Sequence, residues 1–203
     1  MFMLYAVLVG LVVGLLLGGR VGRLADLHLE WAWLAIAALI TQVVLFTDRV
    51  YQAAGDLVPL IYLGSTVMVV LVMLRNVRKA PALIIVIIGA CANLAAIITN
   101  GGYMPATPEA LGISEPVGTT FHANSVTTPS PALELLIDRF SLPDWVPYTN
   151  VFSVGAVLIG AGIIIVMVVA MRRSQPPSGD AGAAGPTTAI VAHHETSGGA
   201  AAR

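Results

Sequence analysis

The residues of this chain whose types could do chemistry stand in one stretch: Asn100, Gly101, Gly102 and Tyr103, then Glu109, His122 and Asp138. A carboxamide, two carboxylates and an imidazole are groups of acid–base chemistry or of polar recognition. Paired glycines ahead of Tyr103 permit positive φ, the chemistry of a helix stop. The same backbone with its amides turned outward would form a nest facing a small anion or a headgroup. No zinc-ligand spacing, nucleophile elbow, phosphate-binding loop or dinucleotide fingerprint accompanies them. Asp26, His28 and Glu30 alternate beside an apolar run, a spacing that suits a solvated link better than a metal. No catalytic residue, metal or cofactor is therefore assigned, and the seven residues stand as a candidate binding set.

The elements that must position them are apolar. Mean hydropathy is +0.87, and 57% of residues are hydrophobic against 10% charged, where soluble proteins carry about 25% charged residues. The pattern predicts an all-α integral membrane bundle of five transmembrane helices at 1–19, 31–47, 57–74, 80–99 and 151–171, with a long outer loop at 100–150. Each block approaches the ~20 residues that cross ~30 Å of hydrocarbon. The second is the shortest and carries Thr41 and Gln42, with Trp31 and Trp33 suited to an interface.

Direction follows from charge. Arg20, Arg23, Arg75, Arg78, Lys79, Arg172, Arg173 and Arg203 fall in alternate gaps, whereas the remaining gaps hold only Arg49 and Arg139. Basic links stay cytoplasmic, so the N-terminus faces out and the C-terminus in. The outer segments then carry Asp48, Asp56, Glu109, Glu115, Glu134, Asp138 and Asp144, an acidic face on which the whole candidate set lies. A formal net charge of -1 with no large basic cluster points to no nucleic-acid partner. Lys79 as the sole lysine, with abundant Ala, Gly and Val, suggests a bacterium of high GC content, hence a bacterial plasma membrane.

Within the blocks, Gly10, Gly14 and Gly18 recur every four residues and mark a packing seam for another span or for a membrane partner or second copy. Gln42 and Asn93 are read as interhelical hydrogen-bond groups, and Cys91 as a small packing residue. No Asp, Glu, Lys, Arg or His interrupts a block, which disfavours proton-coupled transport. In the outer loop, Ser130-Pro131 resembles an N-cap and first helical position. Leu133, Leu136, Ile137 and Phe140 then share one face, predicting a short amphipathic helix on the membrane surface, with Trp145 and Tyr148 at headgroup level. The tail 174–203, rich in Gly, Ala, Ser and Pro, is expected to be disordered; His193 and His194 lie in it.

Asn100-Gly101-Gly102-Tyr103-Met104-Pro105, Glu109-Ala110-Leu111-Gly112, His122, Leu135-Leu136-Ile137-Asp138 and Ser153-Val154-Gly155 resemble a bacterial membrane-protein family known as domain of unknown function 5317. That family pattern carries an acidic residue after its Ser-x-Gly, where Ala156 stands here. The resemblance implies a helical membrane domain, with its distinctive residues at the outer ends of the last two spans, and no activity. The reading is a scaffold or accessory subunit in the bilayer. The alternatives are an enzyme or binding protein for a lipid-linked substrate, using Asn100, Glu109, His122 and Asp138 together, and a small-solute transporter with a cavity lined by Gln42 and Asn93. In a Cys91-free background, a cysteine at Ser125 should react with an impermeant maleimide from outside intact cells, and one at Ser178 only after permeabilisation. The reverse pattern would invert the topology.

Overall fold

In a computed structural model, residues 2–112, 121–122, 125–128, 130–143, 145–146 and 151–173 are described. Glu115, Asp144, Tyr148 and the whole tail with His193 and His194 lie outside them. Five long helices form: α1 (Phe2–Leu16), α2 (Ala32–Leu45), α4 (Val58–Asn76), α5 (Leu83–Thr99) and α6 (Val154–Arg172), with a short α3 (Asp48–Ala54) at the α2–α4 corner. Asp48–Asn76 and Val154–Arg172 are long and apolar enough to cross a membrane; α1, α2 and α5 are shorter apolar helices.

Local chemistry sets the ends. The first helix stops at Leu16 rather than continuing through residue 19, because Gly18 sits at φ +78°. Its N–H bonds Leu15 O at 2.9 Å, and Gly19 N–H bonds Gly14 O at 2.8 Å, a Schellman cap with glycine at the left-handed position. Gly18 thus caps α1 and is not part of the seam: nothing lies within 4 Å of where its Cβ would be. Pro59 occupies the first turn of α4, where a missing N–H costs nothing. Ser153 caps α6, its Oγ accepting Ala156 N–H at 3.0 Å.

The helices pack in the order α2–α4–α5–α6–α1. Small residues let α6 approach both neighbours. A Cβ on Gly10 or Gly14 would meet Met167 or Met171, and one on Gly155 would strike the Asn93 carboxamide and the Gly89 carbonyl. Buried Val70, Ile87 and Ala90 join α4 to α5; Leu83 and Val86 continue that core, with Ile159, Ile163 and Val166 of α6 packed on it. Outward faces stay apolar, among them Leu8, Leu16, Trp33, Val43 and Leu60. Cys91 lies exposed on α5.

The 100–150 segment departs from the expected all-α reading. Met104–Pro105 (β1), Phe121–His122 (β2) and Ser125–Val126 (β3) form a small sheet in the order β1-β3-β2, and Phe140–Ser141 (β4) pairs antiparallel with Val151–Phe152 (β5). The amphipathic helix after Ser130 does not form: residues 132–136 are turns, with Leu133 at φ +55°. The helical periodicity loses to pairing with distant segments. Ala132 bonds Asn100, Asp138 bonds Pro105 and Thr107, and Phe140 pairs with Phe152. Leu136 and Ile137 still turn inward, while Leu135 is exposed, as is Trp145.

The opposite end is tied by Asn76, which is 1% exposed. Its Oδ1 accepts Glu30 N–H at 2.7 Å, and its Nδ2 donates to Glu30 O at 2.8 Å and to Val72 O at 2.7 Å. Glu30 itself bridges Arg75 at 2.7 Å and Lys79 at 3.0 Å. The Lys79 hydrogen bond, then Arg75, hold its carboxyl below the usual range against an opposing desolvation. The Gly155 crossing gives a sharp test. Gly155→Ala should lower stability by roughly 1–3 kcal/mol through overpacking, read as a reduced melting temperature in detergent. Gly64→Ala, mid-helix on α4 with open space around it, should leave it unchanged or slightly raised.

Candidate functional site

Asn100 occupies the C-cap of α5, and its side chain is committed to backbone. Nδ2 donates to Ala96 O at 2.7 Å and Ala132 O at 2.9 Å, while Oδ1 accepts Ala132 N–H at 2.8 Å. Gly101 (φ +74°) and Gly102 (φ +91°) turn the chain, so that Gly102 N–H caps Ile97 O at 2.8 Å. A Cβ on Gly102 would collide with Pro59. The segment therefore works as a helix stop stitched to α4 and to residue 132. Tyr103 lies against the α3–α4 corner. Burial, followed by a hydrogen bond with Tyr51 and the charge of Asp56, pushes its phenol pKa up.

The remaining candidates separate. Glu109 is exposed on a turn in which Gly112 N–H bonds its carbonyl at 3.1 Å. His122 pairs through its backbone with Ser125; its side chain lies outside the described residues. Asp138 is buried, its N–H on Pro105 O and its C=O accepting Thr107 N–H, both at 2.9 Å. That pairing holds Asp138 over the helices, where it lines a central cavity of about 490 Å³.

This cavity gathers three residues singled out in the sequence, Gln42, Asn93 and Asp138, with Tyr62 and Thr66 from α4. All five long helices reach it. Hydroxyl bookkeeping fixes the Gln42 orientation. Ser65 Oγ and Thr66 Oγ1 each spend their proton on Tyr62 O, at 2.8 and 2.9 Å. They can then only accept, and Gln42 Nε2 donates to both at 3.1 Å. Its Oε1 is left without a protein partner among the described residues. At Asn93, Oδ1 accepts the Ser153 hydroxyl at 2.7 Å, and Ser153 in turn accepts Ala156 N–H. Asn93 Nδ2 remains an open donor. Since no buried side-chain N or O lacks a partner among the described residues, neither open group is fully enclosed. Gln42 bonded to two hydroxyls is worth about 0.6–2 kcal/mol per interhelical bond in an apolar surround.

The polar groups cluster at one end. Gln42 lies near the end of α2, Tyr62 and Thr66 in the first half of α4, and Asn93 in the second half of α5, all toward Asp138. Deeper walls are Met73, Val86, Ile159 and Ile163. Such a graded lining has the chemistry to hold a molecule with a hydrogen-bonding head and an apolar body. Among the described residues, no group of three His, Cys, Asp or Glu is placed to hold a metal ion. Sequence reasoning missed Ser65, Thr66 and Asn76, and quoted Ser153 in a family motif without its capping role. A Ser directly ahead of a long apolar run is an N-cap signal that would have found Ser153, whereas Ser65 and Thr66 needed the α2–α4 pairing to acquire meaning.

Comparison with known proteins gives a match over residues 26–168, more than half the chain, to a family described as of unknown function. No curated protein and no solved structure matches.

Proposed function

We propose, for a chain that belongs to the DUF5317 family of unknown function, a multi-pass protein of a bacterial plasma membrane that holds an amphipathic, lipid-like molecule in its central cavity. In this reading all five long helices cross the bilayer, the N-terminus and the Asn100 end face outward, and the Asn76 end faces the cytoplasm. Two helices of sufficient length and apolarity support the membrane setting, as do the apolar outward faces and the segregated arginines. The shorter helices gain depth from their end turns, such as the Gly18 cap after α1.

The observation that carries the ligand is the cavity of about 490 Å³ itself, with the open Gln42 acceptor and Asn93 donor near its Asp138 end and aliphatic walls beyond. Carboxamides do not titrate near neutral pH, so they favour recognition over proton transfer. The molecule would enter with its head toward Asp138, from the outer leaflet. A scaffold or accessory role fits the exposed faces of α1 and α2 equally well, since lipid or a partner helix would cover the same residues. The cavity favours binding over that reading; a small-solute transporter would use the same Gln42 and Asn93 lining, and the lack of Asp, Glu, Lys, Arg and His within the apolar blocks disfavours proton coupling.

A long-chain monoacylglycerol bearing a diazirine near its tail, whose hydroxyls both donate and accept, is the direct probe. Photolysis with the purified protein should label Val70, Met73, Ile159 or Ile163, saturably and in competition with unlabelled monoacylglycerol. Labelling confined to outward residues such as Leu71, Leu74 and Ile88, without saturation, would exclude an occupied cavity.

A further inference from the structure

The Asn76 end carries a second apolar recess, separate from the central cavity. It has a volume of about 200 Å³ between the start of α5 and the end of α6, walled by Leu27, Ala80, Pro81, Val166 and Ala170, with Arg173 at its edge. Arg173 is held there by its backbone as well as its side chain. Its N–H caps Val169 O at 3.0 Å, and its guanidinium Nη2 donates to the Lys79 carbonyl across the α4–α5 turn. A carbonyl partner fixes the guanidinium without cancelling its charge, and four of its five N–H donors stay available.

Charge around this recess is strongly one-sided. Arg78 and Lys79 immediately precede Ala80, Arg172 precedes Arg173, and Arg20 and Arg23 sit against the end of α6 through Met171 O. Glu30 pairs with both Arg75 and Lys79 and offsets one of their two charges. Asp26 is the other carboxylate of this end among the described residues, and it has no ion pair among them. Arg20, Arg78 and Arg172 also have no ion-pair partner among the described residues, and Arg23 meets only the Met171 carbonyl. An apolar slot edged by the held Arg173 guanidinium, with exposed Arg172 and Arg78 adjoining it in the chain, matches a phosphate joined to a hydrocarbon chain, because arginine pairs with phosphate oxygens bidentately while the stem stays against apolar surface.

We propose that this recess is a binding site for an anionic phospholipid of the cytoplasmic leaflet, its phosphodiester on Arg173 and Arg172 and the first part of one acyl chain against Pro81, Val166 and Ala170. The site rests on the membrane reading above and is independent of the central cavity. Basic residues near a bilayer surface contribute about 1 kcal/mol each toward anionic lipid, so the site should discriminate lipids by headgroup charge and lose that preference in salt.

The test is native mass spectrometry of the full chain from detergent, with phosphatidylglycerol and phosphatidylcholine of matched chains added together. Phosphatidylglycerol should be retained at least about fivefold over phosphatidylcholine, and the preference should collapse as ionic strength rises tenfold. Arg172→Gln/Arg173→Gln should abolish it and Arg173→Lys should restore part of it, while Arg49→Gln at the opposite end leaves it intact. Should the double glutamine variant fail to fold, the salt series on the wild type and the Arg49→Gln comparison still decide. Equal retention of both lipids, or an equal loss from Arg49→Gln, would overturn the site. Reconstitution into phosphatidylcholine vesicles separates the two claims: carbonate-resistant integration without lipid preference rejects the recess alone, whereas failure to integrate rejects the membrane reading itself.

Discussion

A helix leaves four amides at its N-terminal end and four carbonyls at its C-terminal end without intrahelical partners, and in an apolar bundle the links that follow carry further groups that must be satisfied. This chain meets the constraint twice with the same device. Asn76 and Asn100 each stand in or just after the last turn of a helix, each donate Nδ2 to the carbonyl four residues back, and each grip the N–H and C=O of one residue in a distant segment. The carboxamide imitates a peptide group, so Glu30 and Ala132 are bonded as they would be by a neighbouring strand. Removing either carboxamide would leave an N–H and a C=O unpaired, each costing about 1–3 kcal/mol where buried. One clamp binds the first link to the α4–α5 turn; the other binds the long segment to the top of α5.

The central cavity follows from this arrangement. Glycines and alanines draw α1 and α5 tightly onto α6, while α2 holds to α4 through Gln42 and two hydroxyls. Between these two close-packed groups, larger side chains such as Met73, Ile159 and Phe152 stand apart and leave a void. Asn100 brings the chain back at Ala132, six residues ahead of Asp138, and the Ala106–Asp138 bridge then sets Asp138 in the cavity lining. Phe152 stacks between Phe2 and Phe140, at 4.5 and 5.6 Å between centroids, and closes the side next to α1. The place of Asp138 in the polar lining at this end is thus a consequence of how the segment is anchored.

Much of the helical layout was legible because runs of apolar residues flanked by charge have few alternatives. Boundaries at 31–47, 57–74 and 151–171 differ from α2, α4 and α6 by a few residues. The C-cap chemistry of Asn100-Gly101-Gly102 was also readable, since paired glycine after an apolar run favours one geometry. Gly18 was misread for the same reason it was noticed: spacing by four suggested a seam, while glycine just past an apolar run is equally a cap, and the cap won. The amphipathic helix after Ser130 failed because periodicity describes a possible helix and says nothing of competing partners 30 residues away. Gln42, Asn93 and Asp138 were each picked out, but their convergence depended on an α2–α4 and α5–α6 pairing that no local pattern encodes. Asn76 escaped notice because an asparagine beside basic residues looks like ordinary link composition.

The central claim is that the Asn100 carboxamide holds the Asp138 segment in place over the cavity. Hydrogen–deuterium exchange of the purified protein, comparing the wild type with Asn100→Leu, tests it most directly. The account predicts faster exchange across residues 130–138 in the variant, with Glu30 and the Asn76 end unchanged. Exchange across 130–138 that is indistinguishable from the wild type would contradict it.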